Sequence, residues 1–289
     1  MEWQTDWGLR GRMVLTMLLL GALYVLFIGV LSLYFQGILP ILVVMGAFMG
    51  AQFFFSDKLA LKSMGASEVE ESEYPDLYRS VRRLSQQADL PMPTVAVADS
   101  GVPNAFATGR SQQNATVCVT TGLLAALDED ELDGVLAHEL AHIKNRDVAV
   151  MTIASFLSTI AFLIVRWGWL FGGRDRRGGG VVVAILISLV VWVVSFLLIR
   201  ALSRYREFAA DRGGALITGN PAALASALAT IDGRMDRVPK EDLREQAEMN
   251  AFFVIPITRG FIGRFARTHP ATERRIERLQ SLERELAGR

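Results

Sequence analysis

Cysteine and histidine are scarce in this chain of 289 residues: there is one cysteine, Cys118, and there are three histidines. A single cysteine excludes an internal disulfide, which suits a reducing compartment. Cys118 sits in the β-like run Thr116-Val117-Cys118-Val119-Thr120, where it reads as a packed small hydrophobe. An excess of either charge is also missing. Thirty Lys and Arg balance 30 Asp and Glu, so no global field favours nucleic acid or an acidic substrate. No ATP-binding motif and no internal repeat is visible, which removes an ATP-driven machine and a solenoid from the readings.

What the chain has in quantity is apolar sequence. Hydrophobic residues make up 51%, mean hydropathy is positive, and the excess is concentrated in four uncharged runs. These are Met13 to Phe35, Ile38 to Phe55, Val148 to Val165 and Val181 to Ile199. A membrane-spanning helix needs roughly 20 apolar residues, within a range of about 17 to 25, and all four fit. Arg10 and Arg12 precede the first run as in a signal peptide. That run is too long for such a segment and ends without a small-residue cleavage site, so it is expected to be retained. The bland alternative for the third and fourth runs is a buried pair of core helices.

The order is therefore membrane hairpin 1–56, polar segment 57–147, membrane hairpin 148–202 and polar segment 203–289. Two crossings per hairpin put both polar segments on one side of the bilayer. Arg10, Arg12, Lys58, Lys62, Arg200, Arg204 and Arg206 flank the spans on that side, against Arg166, Arg174, Arg176 and Arg177 in the opposite loop. N-terminal positive charge carries more weight, which places the polar segments in the cytoplasm of a cell-membrane protein.

Within the first polar segment, Pro75 opens a helix with Leu77, Val81, Leu84 and Ala88 at helical spacing, and Pro91 and Pro93 close it. Thr94 to Ala98 and Ala115 to Thr120 read as strands, with Asn104 to Gly109 as a short third, so a small sheet is expected. Asp128 with Glu131 forms a capping-box pattern, and Leu127 can staple to Leu132. The helix they start runs through His142 towards Arg146. Ser203 to Asp211 continues the fourth run as helix until Gly213-Gly214 breaks it. Asn220-Pro221 starts another helix, and a last one carries Ile276, Leu279, Leu282 and Leu286. Gly172 to Gly180 is a short flexible connection.

Two of the three histidines stand in His138-Glu139-Leu140-Ala141-His142. Four residues apart on a helix, both imidazoles share one face and can bind one zinc ion at about 2.0–2.1 Å. Glu139, beside that face, can take a proton from a water that the ion acidifies and pass it to a leaving amine. A catalytic zinc site takes three protein ligands and keeps one position open. His269 is one candidate for the third. Glu207 and Asp211, one turn apart beyond the fourth run, are others, and spacing leaves either as ligand or support.

Taken together, His138 to His142, Asn145-Arg146-Asp147 and Glu207-Phe208-Ala209-Ala210-Asp211 resemble the HtpX family of membrane zinc metallopeptidases. The resemblance extends over Asn104 to Gly109, Thr268-His269-Pro270 and the order of the hairpins. It implies a mainly α membrane protein: four transmembrane helices with an α+β zincin-like metallopeptidase domain containing a small sheet. It implies Glu207 as third zinc ligand and Asp211 as the group that orients the site. Asn104 would lie beside a cleft where an extended substrate adds as a strand, and His269 on a loop over the zinc. Arg274 and Arg275 read as solvated helix charges.

The expected activity is ATP-independent endoproteolysis of misfolded or damaged membrane proteins, in membrane quality control and stress response. The expected partners are those unfolded or membrane-protein substrates and the lipid bilayer. A prenyl-CaaX protease is a competing reading that the resemblance also suggests, disfavoured because four spans are too few for the large enclosed helical chamber that relatives with this activity have. A non-catalytic adaptor with structural zinc is another, disfavoured by Glu139 and an open ligand position.

Overall fold

The computed structural model describes residues 6–34, 38–167, 178–235 and 270–288. They form two compact units, one of residues 55–148, 206–235 and 270–288, the other of residues 6–34, 38–54, 149–167 and 178–205.

The second of these units is helical. It draws on α1 (Trp7–Tyr34), α2 (Ile38–Ser63), α6 (Asp147–Trp167) and α7 (Gly178–Thr218). Among the described residues three helices are long and apolar enough to cross a membrane: Trp7–Ser32, Asp147–Arg166 and Val182–Thr218. The run 38–55 is helical as well, as the first part of α2. Leu20, Tyr24, Phe27 and Leu31 of α1 pack with Ala154, Ile160 and Ala161 of α6 and with Ala184 and Val191 of α7. The alanines let these helices approach closely, the usual device where lipid removes the hydrophobic drive to associate. The Tyr24 hydroxyl donates to the Ala154 carbonyl at 2.7 Å, joining α1 to α6. Val14, Leu18, Val25, Leu186, Val190 and Leu197 remain exposed, a surface suited to acyl chains rather than water.

The other unit holds a four-stranded sheet in the order β1-β2-β4-β3. Its strands are β1 (Ala66–Glu68), β2 (Thr94–Ala98), β3 (Ala105–Ser111) and β4 (Asn114–Thr120). β2 and β4 run parallel and the two outer pairs antiparallel. The sheet is thus larger than the two or three strands the sequence suggests. Around it lie α3 (Pro75–Gln87), α4 (Thr121–Leu124), α5 (Glu129–Lys144), α8 (Pro221–Met235) and α9 (Thr272–Ala287). Leu77, Val81 and Leu84, Val95, Val117 and Val119, Leu136 and Leu140, Leu224 and Leu228, and Leu279 and Leu282 share one core. Cys118 is buried with Ala96, Ala98 and Phe106, and burial pushes its thiol up to about 12, in keeping with its reading as a small hydrophobe.

One expected boundary is wrong. Gly213-Gly214 does not end a helix, because α7 runs unbroken to Thr218. A Cβ at Gly214 would lie 2.8 Å from the His138 nitrogen and 3.0 Å from its Cα. The glycine is there to let α7 touch the backbone of α5, and that contact outweighs a helix-interior cost of about 1 kcal/mol. Gly134 serves α8 likewise: its added Cβ would meet Leu224 nitrogen at 2.9 Å.

Candidate metal centre

The site is built on α5, whose start is fixed by side chains. Asp128 accepts from the Glu131 amide at 2.8 Å, and Glu131 Oε2 accepts from the Asp128 amide at 3.3 Å. The other Glu131 oxygen accepts from Ser226 at 2.6 Å and Thr230 at 3.1 Å on α8. One carboxylate thus caps α5 and fixes it against its neighbour. At the far end Arg146 takes a left-handed conformation, φ 55°, and this single residue turns the chain from α5 into α6. The turn brings Asp147, the first residue of α6, back towards His142.

His138 and His142 lie with their Nε2 atoms 3.1 Å apart. Glu207, from α7, straddles them: Oε2 is 3.7 Å from His138 Nε2 and Oε1 is 3.6 Å from His142 Nε2. Each of the three residues offers one ligand atom, all within 4.8 Å of one another. Donors around a tetrahedral ion with bonds of about 2.0–2.1 Å stand roughly 3.3 Å apart, so the spacing fits such an ion.

The other face of each imidazole is committed. His138 Nδ1 is 3.0 Å from Asp211 Oδ1, and His142 Nδ1 is 2.5 Å from Asp147 Oδ2. A carboxylate is only an acceptor, so both rings carry their proton on Nδ1 and present an Nε2 lone pair to the shared point. Behind each carboxylate stands an arginine. Arg275 of α9 donates to Asp211 through Nε at 2.9 Å and Nη2 at 2.6 Å. Arg206 of α7 pairs with Asp147 and donates to the Asn145 carbonyl at 3.2 Å. The site therefore contains two parallel relays, His138–Asp211–Arg275 and His142–Asp147–Arg206.

Glu139 is buried beside the histidines. Burial raises its carboxyl above the ordinary value, and Glu207 adds to this; the two histidines and a hydrogen bond from the Ala107 amide oppose it. Ala107 belongs to β3, which has β4 on one side and is the sheet's outer strand in the observed order. A raised carboxyl next to a strand edge is the placement needed of a group that exchanges a proton with an extended peptide.

The residues picked out in the sequence fare differently. His138, Glu139, His142, Glu207 and Asp211 come together. Asn104 is fully buried immediately ahead of β3, its amide donating to Thr120 Oγ1 and its carbonyl accepting from the Thr120 amide, both at 2.9 Å. His269 lies outside the described residues. Arg275 corrects the reading of a solvated charge, since it is 1% exposed. Its burial would lower its proton affinity, but Asp211, Glu207 and Glu139 together push it upward and keep it charged. A signal was present: 275, 279, 282 and 286 are spaced four, three and four, so Arg275 belongs to the same stripe as the buried leucines. Arg206, which entered the sequence reading only as a topology marker, and Asp147, read only as part of a motif, were given no role there.

Comparison with known proteins shows the family. The family model "Peptidase family M48" matches residues 71–283. The chain is 55% identical to Protease HtpX homolog 2 of Methanosarcina acetivorans, over 99% of both chains. It is 51% identical to a Protease HtpX homolog of Moorella thermoacetica, over 99% of this chain and 98% of that one. Among solved structures it resembles Ste24p of S. mikatae with a TM-score of 0.56 at 18% identity. That likeness covers 90% of this chain but only 62% of the other.

Proposed function

Because the chain belongs to peptidase family M48, and is a membrane metalloprotease similar throughout its length to HtpX homologues, we propose that it uses zinc to cut misfolded or damaged membrane proteins. In this reading His138, His142 and Glu207 hold one zinc ion and Glu139 is the catalytic base. The observation that carries it is the pair of Nε2 atoms 3.1 Å apart, each ring anchored through Nδ1 to a carboxylate. When bound, the ion supplies Lewis acidity, drawing the pKa of water towards ~7 and polarising a carbonyl. Asp211 and Asp147 hold the rings in the tautomer that can receive it. Glu139 takes up the proton of the attacking water at its carboxylate and returns it to the departing amine. In the same reading the outer strand β3, which Asn104 immediately precedes, offers main-chain groups to an extended substrate.

The membrane arrangement belongs to the same proposal. Four crossings, including one at 38–55, alternate with polar segments 57–147 and 203–289 in the cytoplasm, within the boundaries 1–56, 57–147, 148–202 and 203–289. Support comes from the continuity of the Glu207 segment with the apolar part of α7 and from Asp147 opening α6. In this reading the substrates are the ends and loops of membrane proteins. Purified protein in detergent is expected to cleave an unfolded substrate such as casein when zinc is present. Glu139→Gln should abolish cleavage while zinc stays bound; full activity in that variant would sink the mechanism.

A further inference from the structure

We propose that Arg275 is a positioning residue through which the C-terminal helix α9 becomes part of the metal site, so that zinc binding and docking of α9 are linked. This rests on the zinc reading of the same site. The guanidinium is buried and holds Asp211 through Nε and Nη2 at once, a planar fork that fixes the carboxylate in two directions. Asp211 in turn sets the His138 ring through Nδ1 at 3.0 Å. Arg275 Nη2 also lies 3.5 and 3.4 Å from the two nitrogens of that ring, hence across the ring rather than in line with the Nε2 lone pair. Its Nη1 is 3.7 Å from Glu207 Oε2. One side chain therefore touches the support of one ligand, the ring of that ligand and the carboxylate of another.

The rest of α9 is seated on the same helix that brings Glu207 and Asp211. Arg278 lies over the Phe208 ring, 4.3 Å from its centroid, and Glu285 is 3.9 Å from Arg212. Leu279 and Leu282 join the core with Leu224 and Leu228 of α8. When α9 lifts away it takes Arg275 with it, leaving Asp211 and Glu207 as buried carboxylates without that cation and His138 without its fixed support. Support groups of this kind are worth about 10–100-fold in metal affinity. By reciprocity, zinc must favour the docked helix by the same factor.

The test uses the full chain in detergent carrying Glu139→Gln, so that self-cleavage does not interfere. Hydrogen exchange over 272–287 is measured with zinc and after its removal by a chelator, and zinc affinity is measured by competition with a chromophoric chelator. Zinc is expected to slow exchange in 272–287 about 10–100-fold. Arg275→Gln is expected to weaken zinc by the same factor, and Arg275→Lys, which keeps charge but loses the fork, to fall between. The proposal is overturned if exchange in 272–287 is indifferent to zinc, a measurement that needs no change at Arg275. It is also overturned if Arg275→Gln binds zinc within twofold of its parent. If the parent binds no zinc, the zinc reading itself fails and takes this proposal with it; zinc binding with unaltered exchange removes this proposal alone.

Discussion

Asp147 Oδ2 stands 2.5 Å from His142 Nδ1, although the two residues occupy different helices. The left-handed residue Arg146 between them makes the contact possible. Asp147→Asn is therefore expected to disturb His142, because an amide can face the ring with a donor and lose the Nδ1 proton's acceptor. Zinc affinity should fall about 10–100-fold in Asp147→Asn and in Asp211→Asn alike. Chelator competition measures both, and a loss in only one would show that the two relays are unequal.

Glu139 must be ionised to accept a proton, and burial raises its carboxyl above the ordinary value of 4.5. A raised acid is protonated over a wider range, so the base form is lost as pH falls through a value higher than 4.5. The pH profile of kcat/KM should show an acid limb with an apparent pKa above 4.5. A limb below it would mean that burial does not control this group.

Gly214→Ala drives a methyl group to 2.8 Å from the His138 nitrogen. Overpacking of this kind costs typically 1–3 kcal/mol, and here it displaces a ligand-bearing backbone. The midpoint of thermal unfolding should fall, and zinc affinity with it. Gly134→Ala, which presses on Leu224 instead, should lower the midpoint with a smaller effect on zinc. Equal zinc losses in both would contradict this division.

Cys118 offers a test of the core. With its thiol pushed up to about 12, roughly one molecule in ten thousand carries a thiolate at pH 8, and the thiolate is the reactive form. A thiol reagent at that pH should label the folded protein negligibly and the denatured protein once. Prompt labelling without denaturant would show that this part of the sheet opens.

Local rules recovered the elements whose causes are local. Pro75 starts α3, Asp128 and Glu131 start α5, and the apolar runs form helices, because caps, proline and periodicity act within a few residues. His138 and His142 were legible for the same reason, since one turn of helix brings them together. Glu207 and Asp211 could be grouped by spacing, but their meeting with α5 is a contact across more than sixty positions that only the fold supplies. Gly213-Gly214 was misread because a glycine pair signals a break by its backbone freedom, whereas here its missing side chains matter. Arg275 was misread because a charge on an amphipathic helix is ordinarily solvated. Only the buried carboxylates opposite it, from another helix, make the interior the better place.

The His138 relay has a consequence for the order of synthesis. His142 and Asp147 leave the ribosome almost together, but the guanidinium that holds Asp211 comes from residue 275 of 289. A nascent chain carries both histidines and Glu139 long before it carries Arg275. A protease assembled in this order gains Arg275 only after all of its proposed ligands have been made, which delays full assembly of the site until α9 has been synthesised and docked.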